Sequence, residues 1–155
     1  MIQKRTECQP ANTNAYPGRG LVVEDSRAVR TLVSRFLHDR HIVTLEAADG
    51  VSAWEMIQRF SFDIIITDIE MPRWTGMDLV KAMRNSSNHW IRQTPVIVTS
   101  TVATPETWQA ACEFHSTYFM SKPLSAGQLD VMLRLVATMQ RLRDSRLNAT
   151  WCGVR

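Results

Sequence analysis

A chain of 155 residues with 45% apolar side chains has the size and composition of one globular domain, and is too apolar for an intrinsically disordered protein. Its net charge of +3 is mild and its basic residues are scattered, which argues against a nucleic-acid-binding stripe; the cluster Arg134, Arg141, Arg143 and Arg146 reads as a solvated helix face. No apolar run can span a bilayer, no stretch reads as a signal peptide, and Cys8, Cys112 and Cys152 lack the number and spacing of a disulfide frame or a zinc site, so a cytoplasmic location is expected.

Residues 1–18, polar and carrying Pro10 and Pro17, read as a flexible tail. Leu21-Val22-Val23 is a first strand, ending in Glu24-Asp25. Ser26 then caps a helix whose apolar positions Val29, Leu32, Val33, Phe36 and Leu37 recur at helical spacing. The second strand is expected over residues 42–47, followed by an Asp49-Gly50 turn and a helix with Ala53, Met56 and Ile57 on its inner side. Ile64-Ile65-Ile66 leads to Asp68, and three consecutive isoleucines favour a strand covered on both faces. Pro72 and Gly76 precede a third helix over residues 77–84, and the polar stretch 85–93 is expected to be a loop. Pro95 to Val98 form strand four, Pro105 opens helix four, and Tyr118-Phe119-Met120 form strand five. Helix five is expected from about residue 125 into the 140s, with Leu129, Met132, Leu133, Val136 and Met139 on one side, and residues 146–155 read as a second tail.

Five strands alternating with five helices predict an α/β fold with an open, doubly wound parallel sheet. In such sheets functional groups gather at the carboxyl ends of the strands. Glu24-Asp25, Asp68, Ser100 and Lys122-Pro123 stand at the ends of strands one, three, four and five. Taken alone, each has an ordinary reading: a helix N-terminal acidic pair, a turn aspartate, a turn hydroxyl, a solvated lysine. Together they are four coincidences at one edge. Three carboxylates brought together resist ionising at once unless a divalent cation joins them, and Mg²⁺ prefers such oxygen ligands. A carboxylate beside it can act as a nucleophile toward phosphorus, with an ammonium and a hydroxyl to hold the phosphoryl oxygens. Asp68 is the candidate nucleophile; Glu24 and Asp25 are candidate metal anchors, and the backbone carbonyl of Glu70 is another.

The segment from Leu21 to about Arg143 resembles the receiver domain of two-component response regulators. The resemblance is carried by Leu21-Val22-Val23-Glu24-Asp25-Ser26, Asp68-Ile69-Glu70-Met71-Pro72 with Gly76, Pro95-Val96-Ile97-Val98-Thr99-Ser100, and Lys122-Pro123, in that order and spacing. It implies a flavodoxin-like sheet of strand order 2-1-3-4-5 and a receiver domain over residues 19–145. It also implies phosphorylation of Asp68 from a phosphohistidine on a sensor histidine kinase or histidine phosphotransfer protein, with Mg²⁺ on Asp25 and Asp68 and Glu24 acting partly through water. Lys122 would pair with the acceptor and then with the phosphate. Ser100 and Phe119 would switch together and alter the face made by helix four, strand five and helix five. Lys122-Pro123 is expected to be a cis peptide. Output is expected through an unidentified partner protein, a homodimer made through that face, or onward phosphotransfer, since little chain follows helix five. Membrane and direct nucleic-acid partners are not expected.

Thr101 stands where the family often has a smaller residue, and His115-Ser116 replaces a common Gly-Ala. Thr101 is therefore expected to tune the phosphate's lifetime, and Trp74 and Glu70 to tune rates and the choice of partner. Two other readings compete. An aspartyl phosphohydrolase usually carries Asp-x-Asp, where this chain has Asp68-Ile69-Glu70. An interaction module that no longer uses phosphate would have no need of the intact constellation. His38, His41, His89 and His115 lack metal spacing and read as surface residues.

Overall fold

The structure, a computed structural model, describes Tyr16 and residues 18–151, with side chains as far as Ser145. Its strands are β1 (Arg19–Val23), β2 (Val43–Ala47), β3 (Ile64–Asp68), β4 (Val96–Ser100) and β5 (Thr117–Ser121). Its helices are α1 (Arg27–His38), α2 (Gly50–Arg59), α3 (Gly76–Arg84), α4 (His89–Gln93), α5 (Pro105–Cys112) and α6 (Ala126–Trp151). All strand pairs are parallel, in the order β2-β1-β3-β4-β5.

The two-residue period of a strand explains how one sheet serves two cores. Leu21, Val23, Ile65, Val96 and Val98 face one layer, where they meet Ala53 and Ile57 of α2, Leu79, Val80 and Met83 of α3, and Ala111 of α5. Val22, Ile64, Ile66, Ile97 and Met120 face the other, against Val33 and Leu37 of α1 and Leu129, Leu133 and Val136 of α6. Every residue of β3 and of β4 is buried, as the run of isoleucines required. Tyr118 and Phe119 go to opposite layers, Phe119 with α2, α3 and α5, Tyr118 with α1 and α6.

Five expectations are corrected. Residues 89–93 form a short helix, giving six helices among the described residues instead of five; Asn88 starts it by accepting a hydrogen bond from the Trp90 amide. One helical turn is too short to show a hydrophobic period. Asp49-Gly50 is the beginning of α2 rather than a free turn: the Asp49 side chain accepts from the Ser52 amide. The helix after β5 runs to Trp151, through much of the stretch read as a second tail. Met139 lies off the buried stripe of that helix and is 50% exposed. Arg143, placed on a solvated face, donates to the Gln93 carbonyl and to Ser116 Oγ at 3.2 Å each.

The proposed N-terminal tail lies outside the described residues except at its end. There the Tyr16 hydroxyl donates to Asp130 at 2.8 Å, and the Arg40 guanidinium lies 3.5 Å above the Phe36 ring and 2.6 Å from Asp130. Arg84 is the other residue whose place could not be read from its neighbours. It is buried, without a carboxylate partner among the described residues. Its guanidinium donates to the carbonyls of Arg92, Thr94 and Ser116 at 2.9–3.0 Å and to Thr117 Oγ1 at 3.2 Å. Burial, with Arg143 nearby, pulls its pKa down to about 10, which leaves it charged at neutral pH. It joins α3, the α4 turn and the start of β5, so R84A strands several buried carbonyls. That variant is expected to lose about 3 kcal/mol of stability in urea unfolding; a loss below about 0.5 kcal/mol would mean that the carbonyls find water instead.

Candidate functional site

The carboxyl ends of β1, β3 and β5 converge on one ion-paired cluster. Lys122 follows β5, and its amide donates to the Ser100 carbonyl at 2.8 Å, which continues the β4–β5 pairing past the end of the strand. The Lys122–Pro123 peptide is cis. The Lys122 ammonium lies 2.8 Å from Asp68 Oδ2 and 2.9 Å from Glu24 Oε2. Side-chain exposure is 15% for Lys122, 6% for Glu24 and 4% for Asp68, so water does little to screen the three charges. Glu24 is further held by the Ser26 amide, which donates to Oε1 at 3.3 Å, while Arg30 donates to the Glu24 carbonyl at 2.5 Å. Asp25, next to Glu24, is exposed at the mouth of the cluster.

Asp68 is seated by the chain that comes after it. The loop from Ile69 turns back so that the Gly76 amide donates to the Ile69 carbonyl at 3.3 Å. A Cβ on Gly76 would lie 2.2 Å from the Asp68 carbonyl oxygen, so only glycine allows α3 to start this close to Asp68. The Thr75 side chain and Asp78 form a capping box that fixes the start of the helix. Trp74, in the same loop, packs over Gly50 and beside Trp54 at a ring distance of 6.5 Å. The left-handed Arg73, at φ 68°, reaches Asp49 at 2.7 Å.

One ligand atom from each of Glu24, Asp25 and Asp68 lies within 4.8 Å of the other two. Asp68 Oδ1 is buried and has no hydrogen-bond partner among the described residues. An unpartnered carboxylate oxygen beside two further acids is what a hard divalent cation satisfies, so the residues present fit Mg²⁺.

Ser100 is fully buried at the end of β4. Its hydroxyl donates to the Glu70 carboxylate and accepts from the Val102 amide at 2.9 Å. The second carboxylate oxygen of Glu70 accepts from the Thr101 amide at 3.3 Å. Thr101 takes part through its backbone, and its side chain is exposed. The Glu70 and Asp68 carboxylates lie side by side: while both are ionised neither can partner the other, but a protonated Asp68 can donate to Glu70. Sequence reasoning considered Glu70 for its backbone carbonyl and its effect on rates, and missed its side-chain link to Ser100. The only available signal was an acid two residues beyond Asp68. Phe119 is half-buried on β5, opposite Val98 and in contact with the α2/α3/α5 layer. The four histidines are exposed and stand apart from the cluster.

Burial pushes the Asp68 carboxyl up to about 6; the Glu70 and Glu24 carboxylates add to the rise, and Lys122 opposes it. At Lys122 burial pulls down, but two carboxylates within 2.9 Å outweigh it and the ammonium is held above its ordinary range. Glu70 also feels burial first, yet the hydrogen bonds from the Ser100 hydroxyl, from Asp68 when that carboxyl is protonated, and from the Thr101 amide bring it below the ordinary glutamate range.

A family model of the response regulator receiver domain matches residues 21–134, and the chain belongs to that family. Over 124 residues it is 34% identical to the Regulator of RpoS of Escherichia coli K12, a match that covers 80% of this chain and 32% of that longer protein. Among solved structures, the chemotaxis response regulator CheY4 of Vibrio cholerae is 34% identical with a TM-score of 0.70, covering 77% of this chain and 98% of that one. The receiver domain of the Pseudomonas aeruginosa sensor histidine kinase PA1611, solved with a magnesium ion in its active-site cleft, shares the fold at 21% identity and a TM-score of 0.69, with 78% and 98% covered. Receiver domains are signalling domains of two-component systems. Among the described residues no helix is long and apolar enough to cross a membrane.

The raised Asp68 carboxyl sets a pH signature. Below about pH 4 the group is protonated whether the chain is folded or not. Between there and about 6 the folded protein keeps a proton that the unfolded chain releases, so this group's contribution to stability falls as pH rises. D68N removes that term. Its stability relative to wild type, measured by urea unfolding in metal-free buffer, is expected to rise across that window and level off above it. A pH-independent difference would contradict the shift.

Proposed function

We propose that the chain is a phosphorylation-operated switch in which Asp68 accepts a phosphoryl group from a phosphohistidine on a sensor histidine kinase or histidine phosphotransfer protein. The observation that carries this reading is the Lys122 ammonium held between Glu24 and Asp68 beside the unpartnered Asp68 Oδ1. An Asp68 oxygen forms a bond to phosphorus as the phosphorus–nitrogen bond of the donor breaks, and the electron pair stays on the imidazole. Lys122 is already within ion-pair distance of the acceptor and donates to a phosphoryl oxygen as charge builds there. Glu24, Asp25, Asp68 and the Glu70 carbonyl would hold Mg²⁺, which when bound lets the acids ionise together and offsets charge on the phosphoryl oxygens.

The output belongs to the face made by α5, β5 and α6. Ser100 ends the strand next to β5 and is paired in register with Ser121, directly before Lys122. When Ser100 turns to the phosphoryl group, Phe119, two residues before Ser121, repacks. The same face then binds an output protein or a second copy of the chain. The setting is cytoplasmic, where sensor kinases place their phosphohistidine. Asp68-Ile69-Glu70 differs from the Asp-x-Asp of aspartyl phosphohydrolases, and the reading here is a single-turnover switch rather than a turnover enzyme.

Beryllofluoride with Mg²⁺ is expected to bind at one equivalent and to shift the backbone resonances of Ser100, Thr101 and Phe119. D68N abolishes both effects. Unchanged spectra of the wild-type protein on adding the mimic would remove the switch reading. Steady release of phosphate from a phosphomonoester over many turnovers would favour the hydrolase.

A further inference from the structure

We propose that the Glu70 side chain is a built-in competitor for the phosphoryl site, a deepening that rests on the acceptor role of Asp68. It holds the donors that an incoming phosphoryl group needs and must be displaced before Asp68 is stably phosphorylated. Three facts carry this. The two oxygens of Glu70 accept separately, one from the Ser100 hydroxyl and the other from the Thr101 amide. The two donors are adjacent in the chain at the end of β4, so the carboxylate is gripped by a side chain and the backbone next to it. The same carboxylate stands beside that of Asp68, so its negative charge lies next to the acceptor.

The arrangement has the form of an internal stand-in for a phosphoryl group: an anion with two oxygens, each bound by a different donor, set next to the acceptor. A phosphoryl group has three free oxygens and a higher charge, and it wins the donors once it is bonded to Asp68. Until then, the fully buried Ser100 hydroxyl donates to Glu70, with the Val102 carbonyl 3.1 Å away as its other acceptor. Phosphorylation is then an exchange. Ser100 and Thr101 give up one anion for another, and Glu70, at the solvent edge, swings out into water. The cost of that exchange lowers affinity for the phosphoryl group and favours the unphosphorylated state. The device needs both the acid two residues after Asp68 and the register that pairs Asp68 with Thr99, one residue before Ser100.

The test uses the whole chain, with Mg²⁺ and beryllofluoride as the probe. E70A is expected to bind the mimic about tenfold tighter than wild type, the scale of one lost charge-assisted competitor. E70Q, which can still accept from Ser100 but carries no charge, is expected to fall between them. Amide hydrogen exchange gives a second readout that a purely structural role would not move. The Thr101 amide should exchange faster in metal-free E70A than in wild type, and the mimic should restore its protection in both. Equal or weaker binding of the mimic by E70A would overturn the proposal, as would a Thr101 amide indifferent to the substitution. Failure of the wild-type protein itself to bind the mimic would instead overturn the acceptor role of Asp68, and the competitor with it.

Discussion

One lysine between two buried carboxylates holds this site together. The Lys122 ammonium, 2.8 Å from Asp68 and 2.9 Å from Glu24, ties the end of β5 to the ends of β3 and β1. No two of these residues are close in sequence except through the sheet. Without the lysine, two acids with 4% and 6% side-chain exposure would face each other with their charges uncompensated. With it, the trio carries a net negative charge, Asp25 adds to that at the mouth, and one Asp68 oxygen is left without a partner. The cluster is thus stable enough to form but short of positive charge. That shortage suits the cluster to a divalent cation, and under the proposed function the electrophilic phosphorus would meet an oxygen already in place.

The rest of the fold serves to keep that cluster fixed. A parallel sheet brings its strand ends to one edge, and two cores clamp the sheet from both sides. The β3–α3 loop is then packed so tightly that Gly76 has no room for a side chain under the Asp68 carbonyl. At the opposite edge Arg84 gathers carbonyls from the α4 segment and from the residue before β5 and fixes the start of β5, the strand that delivers Lys122. Ser100 is linked both ways: its carbonyl accepts from the Lys122 amide, and its hydroxyl holds Glu70. A change at Asp68 would therefore have a short covalent and hydrogen-bonded route to β5 and Phe119.

How much of this the sequence disclosed depends on the range of the interaction. Runs such as Val22-Val23-Glu24 and Ile66-Thr67-Asp68 show their strand ends directly, because apolar β residues stop where charge begins. The sheet rule then puts Glu24, Asp25, Asp68, Ser100 and Lys122 at one edge without any knowledge of distances. What stayed hidden was set by single tertiary hydrogen bonds. Arg84 looks like any basic residue in the last turn of a helix, and only the carbonyls of distant segments explain its burial. Glu70 looks like an exposed loop acid until β4 brings Ser100 beside it. The five-residue α4 has too few positions for a period, and Tyr16 sits in a polar stretch whose partners, Asp130 and Arg134, lie more than a hundred residues away.

The most direct test is to locate the phosphoryl group itself. The protein is incubated with Mg²⁺ and a small-molecule phosphoryl donor, then reduced with borohydride, which converts an aspartyl phosphate to homoserine, and the peptides are weighed by mass spectrometry. The account predicts conversion at residue 68 alone, at no more than one equivalent, and none when Mg²⁺ is chelated. Conversion at another acid, or none at all in a folded protein saturated with Mg²⁺, would contradict it.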